Sequence, residues 1–195
     1  LVGEGVVLAD STDILEHLQR RQGGRWSPYP LDSQRRLEAA ELEESFDTRL
    51  GPHTRRLAYF HLLKRRDLFL HSVLAGVGRG ERTLFRALGP VPAFLMRRGM
   101  NITADGAARS LARVREVFAE VGERLAAGRP YLVAGAFTAA DLSFAALAAP
   151  VILPRGYGSP LPSLDELPGE LLALVEDLRA TPAGEFALRM YRDHR

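Results

Sequence analysis

Residues 131–153 constrain the possible folds most, because this 23-residue stretch contains a single charged side chain, Asp141. A membrane span of about 20 residues rarely carries an aspartate near its middle. The stretch therefore predicts a helix buried inside a helical domain. Thr138 and Asp141 have the spacing of a capping box, with Asp in place of the more common Glu. We expect these two residues to stabilise the start of the buried helix and to take no part in chemistry.

Apolar residues recur at spacings of three and four through most of the chain after residue 32, which is typical of amphipathic helices. The stripe that opens this region consists of Ala39, Leu42, Phe46 and Leu50. The Gly-Pro pair at residues 51–52 predicts that the helix breaks or kinks at the end of this stripe. The longest uninterrupted pattern covers residues 104–127, and Pro168 and Pro182 stand where two closing helices would begin. These patterns predict a mainly α fold.

The front of the chain has a different pattern. Residues 1–9 hold short apolar runs separated by Gly-Glu-Gly, which is typical of a tight hairpin of two brief strands. From Ser11 the period becomes helical, and it ends near two consecutive glycines. Residues 23–31, which contain two Gly and two Pro, have the composition of a linker. Further on, residues 76–99 predict an irregular connection with a short helix around Leu84.

Composition excludes several classes of function. The 26 basic and 24 acidic residues give a net charge of +2, which is too small to indicate a nucleic-acid or anionic-membrane partner. The absence of cysteine excludes disulfides, thiolate metal sites and a cysteine nucleophile within these residues, and it agrees with a cytoplasmic compartment. The five histidines lack the spacing of metal ligands, so no metal site is expected.

Asp10 and Ser11 form a candidate binding site where a strand hands over to a helix. Ser11 is well placed as the helix N-cap, and the free N–H groups of the first helical turn can bind a carboxylate or a phosphate. The neighbouring carboxylate of Asp10 can accept from an ammonium group. This pairing suits the zwitterionic end of an amino acid, and an ordinary capped helix is the alternative interpretation.

Glu43 and Asp47 stand four residues apart, so they could form a carboxylate pair for acid–base chemistry. Helical spacing places both side chains on one face of the predicted helix. We expect this face of the helix to be polar and both carboxylates to be solvated.

Two segments of the chain resemble the glutathione S-transferase family. Residues 6–18, Val-Val-Leu-Ala-Asp-Ser-Thr-Asp-Ile-Leu-Glu-His-Leu, look like the acidic-residue–Ser motif and the third helix of that family's thioredoxin-like domain. Residues 131–141, Tyr-Leu-Val-Ala-Gly-Ala-Phe-Thr-Ala-Ala-Asp, are similar to the family's buried capping-box helix. The two motifs stand in the family's order, and the helices between them fit, so the resemblance covers nearly the whole chain.

The resemblance implies a division into three parts. Residues 1–22 would be the remnant of a thioredoxin-like, glutathione-binding domain that contributes its last β-hairpin and helix. Residues 23–32 would be a linker, and residues 33–195 would form the all-α C-terminal domain. The family's first strand and helix, which carry the Ser, Tyr or Cys that activates the thiol, have no counterpart in this sequence. The chain is therefore expected to start late in the thioredoxin-like domain, with the catalytic hydroxyl or thiol upstream and its identity unknown.

The resemblance also implies an activity. Ser11 and its backbone N–H would hold the γ-glutamyl carboxylate of glutathione, and Asp10 would meet the γ-glutamyl amino group. The helical domain would contribute a pocket for a small hydrophobic electrophile. Candidates for that pocket, each with core packing as the alternative, are Phe46, His53, Tyr59 and Phe60. The intact protein would then conjugate or reduce such electrophiles with glutathione as co-substrate, as in detoxification.

Two further properties follow from the resemblance. The family suggests a homodimer that packs partly through the helix after Ser11 and the first long helix after the linker. The alternative to an enzyme is a non-catalytic relative that uses the same fold for binding or assembly.

The sequence departs from the family at two further places. His17 stands where the family often has Tyr. The family also has a proline before the strand to which Leu1 and Val2 would correspond, and this sequence lacks that proline.

Overall fold

The computed structural model describes residues 2–3, 6–8, 11–21, 27–65, 68–70, 78, 80–81, 83, 91–133, 135–158 and 161–195. The short helix predicted around Leu84 and residues 23–26 of the predicted linker lie outside this set. The described residues nevertheless cover both motifs on which the sequence argument depends, apart from Ala9 and Asp10 in the first motif and Ala134 in the second.

The front of the chain pairs two short strands and continues into a helix. Strand β1 (Val2–Gly3) runs antiparallel to β2 (Val6–Val7), with Val2 opposite Val7 and Gly3 opposite Val6. Helix α1 (Ser11–Arg21) follows. Strands and helix lie where the alternation of apolar runs and the change of period at Ser11 predict them.

The rest of the described chain consists of helices and the loops between them. Its elements are α2 (Ser33–Arg49), α3 (Gly51–Leu62), α4 (Val91–Gly99), α5 (Ala104–Leu125), α6 (Ala139–Ile152), a 3₁₀ turn (Leu164–Glu166), α7 (Gly169–Arg179) and α8 (Pro182–Asp193). Asp32 caps α2 by accepting from the backbone N–H of Arg35 at 3.0 Å. Leu50 ends α2 and precedes α3, so the predicted break at residues 51–52 separates two helices.

Helix α6 lies at the centre of the molecule and packs against α2, α3, α7 and α8. The ring of Phe144 is completely buried, and its centroid lies 5.2 Å from that of Phe46 and 5.4 Å from that of Phe118. Because both faces of α6 are apolar, the helix needs neighbours all round. The prediction of a buried helix within residues 131–153 is confirmed. Among the described residues, no helix is both long and apolar enough to cross a membrane.

Helix α4 corrects one prediction, because residues 91–99 are helical where an irregular connection was expected. Pro92 is compatible with this helix because it stands in the first turn, where a missing N–H costs nothing. None of the nine residues of α4 is buried. Its large apolar side chains Val91, Phe94 and Leu95 are exposed.

Candidate functional site

The start of α1 is the site that the sequence predicts for the amino-acid end of a ligand. Strand β2 is followed by the half-buried Leu8, and the helix begins at Ser11. Asp10 lies outside the described residues, and for Ser11 the description is limited to the backbone. The N–H groups in the first turn of a helix have no partner within the helix, and the helix dipole favours an anion beside them. A strand-to-helix connection of this kind can therefore receive a carboxylate.

One face of α1 holds the helix against the segment before α2 and against α2 itself. The residues of that face are Thr12, Leu15, Glu16 and Gln19. The hydroxyl of Thr12 donates to Glu43 Oε1 at 3.2 Å, and an Arg36 nitrogen lies 2.7 Å from the Glu16 carboxylate. The Gln19 amide donates to Ser27 Oγ at 2.8 Å, and the Leu15 side chain is buried between these polar contacts. The position of α1 is thus fixed along its length.

Glu43 and Tyr29 form a buried polar pair beneath the start of α1. Glu43 is 3% exposed and Tyr29 is 2% exposed. The Tyr29 hydroxyl donates to Glu43 Oε2 at 2.5 Å. Burial and the neighbouring Glu43 carboxylate raise the pKa of Tyr29, so the phenol keeps its proton and remains a donor. The guanidinium of Arg36 lies 5.1 Å from the centre of the Tyr29 ring.

The segment that carries Tyr29 also contacts the central helix. The carbonyl oxygen of Pro28 accepts from the backbone N–H of Ala139 at 2.7 Å. Ala139 is the first residue of α6, so this bond satisfies one of the N–H groups that the helix start leaves free. Residues 27–30 therefore join α1, α2 and α6, although their composition predicts only a linker.

Thr138 and Asp141 form a capping box at the start of α6. Asp141 Oδ2 accepts from the backbone N–H of Thr138 at 2.7 Å and from its hydroxyl at 2.8 Å. Asp141 Oδ1 accepts from the N–H of Leu132 at 2.8 Å. Burial raises the pKa of Asp141, and these hydrogen bonds oppose that rise. The carboxylate, which is completely buried, fastens the chain before α6 to the helix itself.

The candidate pocket residues are divided between the core and α3. Phe46 lies in the core against Phe144. His53 is half-buried in the first half of α3, and its Nδ1 lies 3.1 Å from Ser110 Oγ on α5. Burial and the cations of Arg56 and Arg113 lower the pKa of His53, so its imidazole is neutral at pH 7.

Tyr59 and Phe60 lie near the end of α3, and both side chains are half-buried. The Lys64 ammonium nitrogen lies 4.4 Å from the centre of the Phe60 ring, in a cation–π contact. His53, Tyr59 and Phe60 therefore share one helix, while Phe46 faces away into the core. In the part of the chain that is described, no cluster of His, Asp or Glu residues could hold a metal ion.

Glu43 is the residue that sequence reasoning misjudged. It was expected to be solvated together with Asp47, whereas the structure buries it against Tyr29 and Thr12. The signal was present, because Glu43 lies four residues after Ala39 and three before Phe46, on the apolar stripe of α2. A carboxylate on such a stripe must find hydrogen-bond donors in the interior.

Comparison with known proteins identifies the fold. No protein-family model and no curated protein sequence matches the chain. Among solved structures, the chain is similar to the β-etherase LigF from Sphingobium sp. strain SYK-6, with a TM-score of 0.54 and 20% sequence identity. The match covers 95% of this chain and 74% of LigF, which is a glutathione S-transferase-fold protein. The chain is mainly α, of the glutathione S-transferase C-terminal type, and it has the glutathione S-transferase fold.

Proposed function

We propose that the protein is a glutathione S-transferase-like enzyme that conjugates or reduces small hydrophobic electrophiles with glutathione. The observation that carries the proposal is the order of elements at the front of the chain. A pair of antiparallel strands leads into α1, which starts at Ser11 within the acidic-residue–Ser motif. The similarity to the β-etherase LigF supports the same interpretation at the level of the fold.

The start of α1 offers the chemistry that the γ-glutamyl end of glutathione requires. The γ-glutamyl carboxylate would accept from the hydroxyl and the backbone N–H of Ser11, where the helix dipole favours a negative charge. The γ-glutamyl ammonium group would donate to the carboxylate of Asp10. Charge-assisted hydrogen bonds of this type are stronger than neutral ones, so two of them can orient the peptide.

The reaction requires a thiolate next to an electrophilic carbon or disulfide. A nearby hydroxyl that donates to the sulfur lowers the thiol pKa and so increases the fraction of the reactive anion. In the family this group belongs to the first strand and helix of the thioredoxin-like domain. We assign the electrophile to the surface near α3, where His53, Tyr59 and Phe60 are half-buried. Phe46 would support this surface from the core.

The proposed organisation has a thioredoxin-like part in residues 1–22, a linker in residues 23–32 and an all-α domain in residues 33–195. We further propose a cytoplasmic homodimer that packs through α1 and α2. The exposed face of α2 supports this assembly, because Leu37 is 54% exposed and Ala40, Glu41 and Glu44 beside it are exposed as well. A non-catalytic binding protein with the same fold is the alternative.

The proposal is tested by mapping glutathione onto the chain with NMR. A titration of ¹⁵N-labelled protein with glutathione should move the amide signals of residues 11–13 most. Cysteinylglycine, which lacks the γ-glutamyl group, should leave these signals in place. Absence of any shift, or shifts confined to other helices, would contradict the proposal. If glutathione binds, conjugation of a generic aryl halide by a form of the protein that carries the family's first strand and helix separates the enzyme from the non-catalytic binding protein.

A further inference from the structure

We propose that Glu43 is a positioning residue for the glutathione site. Through the hydroxyl of Thr12, the buried carboxylate of Glu43 fixes the orientation of the first turn of α1. It thereby sets the affinity for the γ-glutamyl carboxylate. The inference rests on the proposed function and adds to it a residue of the helical domain that lies outside the acidic-residue–Ser motif.

The burial of Glu43 is not explained by packing. Its position on the apolar stripe of α2 suits a leucine or methionine, and burying a carboxylate is costly unless donors satisfy it. Both carboxylate oxygens are used, Oε1 by Thr12 and Oε2 by Tyr29. Hydrogen bonds are directional, whereas apolar contacts are not, so the pair defines an orientation that a leucine could not define.

Thr12 transmits this orientation to the binding site. It follows Ser11 directly, and both residues belong to the first turn of α1. Successive helical residues are about 100° apart around the axis, because one turn contains about 3.6 residues. A bond that holds Thr12 on the side of α2 therefore fixes the rotation of the helix start about its axis, and with it the positions of the first-turn N–H groups and of Ser11 around that axis.

A closed set of contacts keeps Glu43 and Tyr29 in place. The guanidinium of Arg36 lies over the ring of Tyr29 and pairs with Glu16, one turn after Thr12 on α1. The contacts thus run from α1 to Glu43, to Tyr29, to Arg36 and back to α1. A change at Glu43 alters the rotation of the helix start while Arg36 still holds the second turn.

The test compares glutathione with γ-aminobutyryl-cysteinylglycine, which keeps the amine of the γ-glutamyl group and lacks its carboxylate. Calorimetry measures the affinity for both peptides in the parent chain and in Glu43→Gln, Thr12→Val and the double variant. Thr12→Ser keeps the hydroxyl and serves as the conservative rescue. Glu176→Gln changes an exposed carboxylate on α7, which belongs to neither the proposed site nor the proposed dimer surface, and is the control.

Glu43→Gln and Thr12→Val should each bind glutathione about tenfold more weakly, equivalent to about 1.4 kcal/mol. The affinity for the carboxylate-free peptide should be unchanged. The double variant should be no weaker than the weaker single variant, because both substitutions break one path. Thr12→Ser and Glu176→Gln should match the parent.

Two results would overturn the inference alone. One is unchanged glutathione affinity in Glu43→Gln or Thr12→Val, and the other is an equal loss of affinity for both peptides, which indicates a general structural effect. Failure of the parent to bind glutathione would overturn the proposed function, and the inference with it. If circular dichroism shows that Glu43→Gln does not fold, the peptide affinities of Thr12→Val decide the outcome, because the Thr12 side chain is only half-buried.

Discussion

At the scale of single residues, two buried carboxylates have different roles. Asp141 accepts three hydrogen bonds from its own chain neighbourhood, whereas Glu43 accepts bonds from two other elements. The first arrangement is local, and the spacing of Thr138 and Asp141 predicts it. The second depends on Tyr29, whose position follows from tertiary packing and not from any pattern around Glu43. This difference explains why the sequence predicts the role of Asp141 and does not predict that of Glu43.

Removal of the Asp141 carboxylate should destabilise the fold strongly. In Asp141→Ala the buried N–H groups of Leu132 and Thr138 lose their acceptor and cannot turn to water. We expect a loss of about 2 kcal/mol or more in the free energy of unfolding, measured by urea denaturation. Ser163→Ala removes the hydroxyl of an exposed capping box and should cost about 1 kcal/mol or less. Equal midpoints for the parent and Asp141→Ala would contradict this account.

At the scale of elements, the start of α8 lies so close to the end of α7 that no side chain fits at the point of contact. A Cβ atom on Gly184, in the first turn of α8, would lie 2.0 Å from the carbonyl oxygen of Leu178 near the end of α7. Pro182 predicts the start of α8 correctly, but the tight approach two residues later is a tertiary feature. Glycine permits this approach because it has no side chain.

Gly184→Ala should therefore force the two helices apart. We expect a loss of about 2 to 3 kcal/mol in the free energy of unfolding, as for overpacked cores. Gly122→Ala, in the last turn of α5, is the matched control, since its Cβ would meet nothing closer than 3.8 Å. That variant should be neutral or more stable by up to about 1 kcal/mol, because alanine favours helix. Equal urea midpoints for the two variants would show that α7 and α8 are not packed this closely.

Helix boundaries show the same contrast between local and tertiary causes. The apolar period predicts α5 to within two residues at its end, because a stripe of this length can only be helical. Helix α4 was missed because its proline and its glycine favour loops on average. Its first turn tolerates Pro92, and Gly99 ends it, so both residues are compatible with a short helix.

At the scale of the whole molecule, the order of the two motifs predicts the fold, and similarity to LigF confirms it. The motifs suffice because each specifies a helix start, and the buried start of α6 needs defined neighbours. The residues that line the pocket for the electrophile are harder to predict from the sequence. Aromatic residues such as Phe46 and Phe60 follow the same period whether they line a pocket or fill the core. Only packing separates them, and it places Phe46 in the core.

The central claim is that the helix start at Ser11 binds the γ-glutamyl carboxylate of glutathione. The most direct test is calorimetry of glutathione binding to the parent chain, to Ser11→Ala and to Ser163→Ala, the last of which removes a helix-capping serine elsewhere. The account predicts that Ser11→Ala weakens binding by roughly 1 to 3 kcal/mol through a lost charge-assisted hydrogen bond, while Ser163→Ala binds like the parent. Equal affinities in the parent and Ser11→Ala would contradict it.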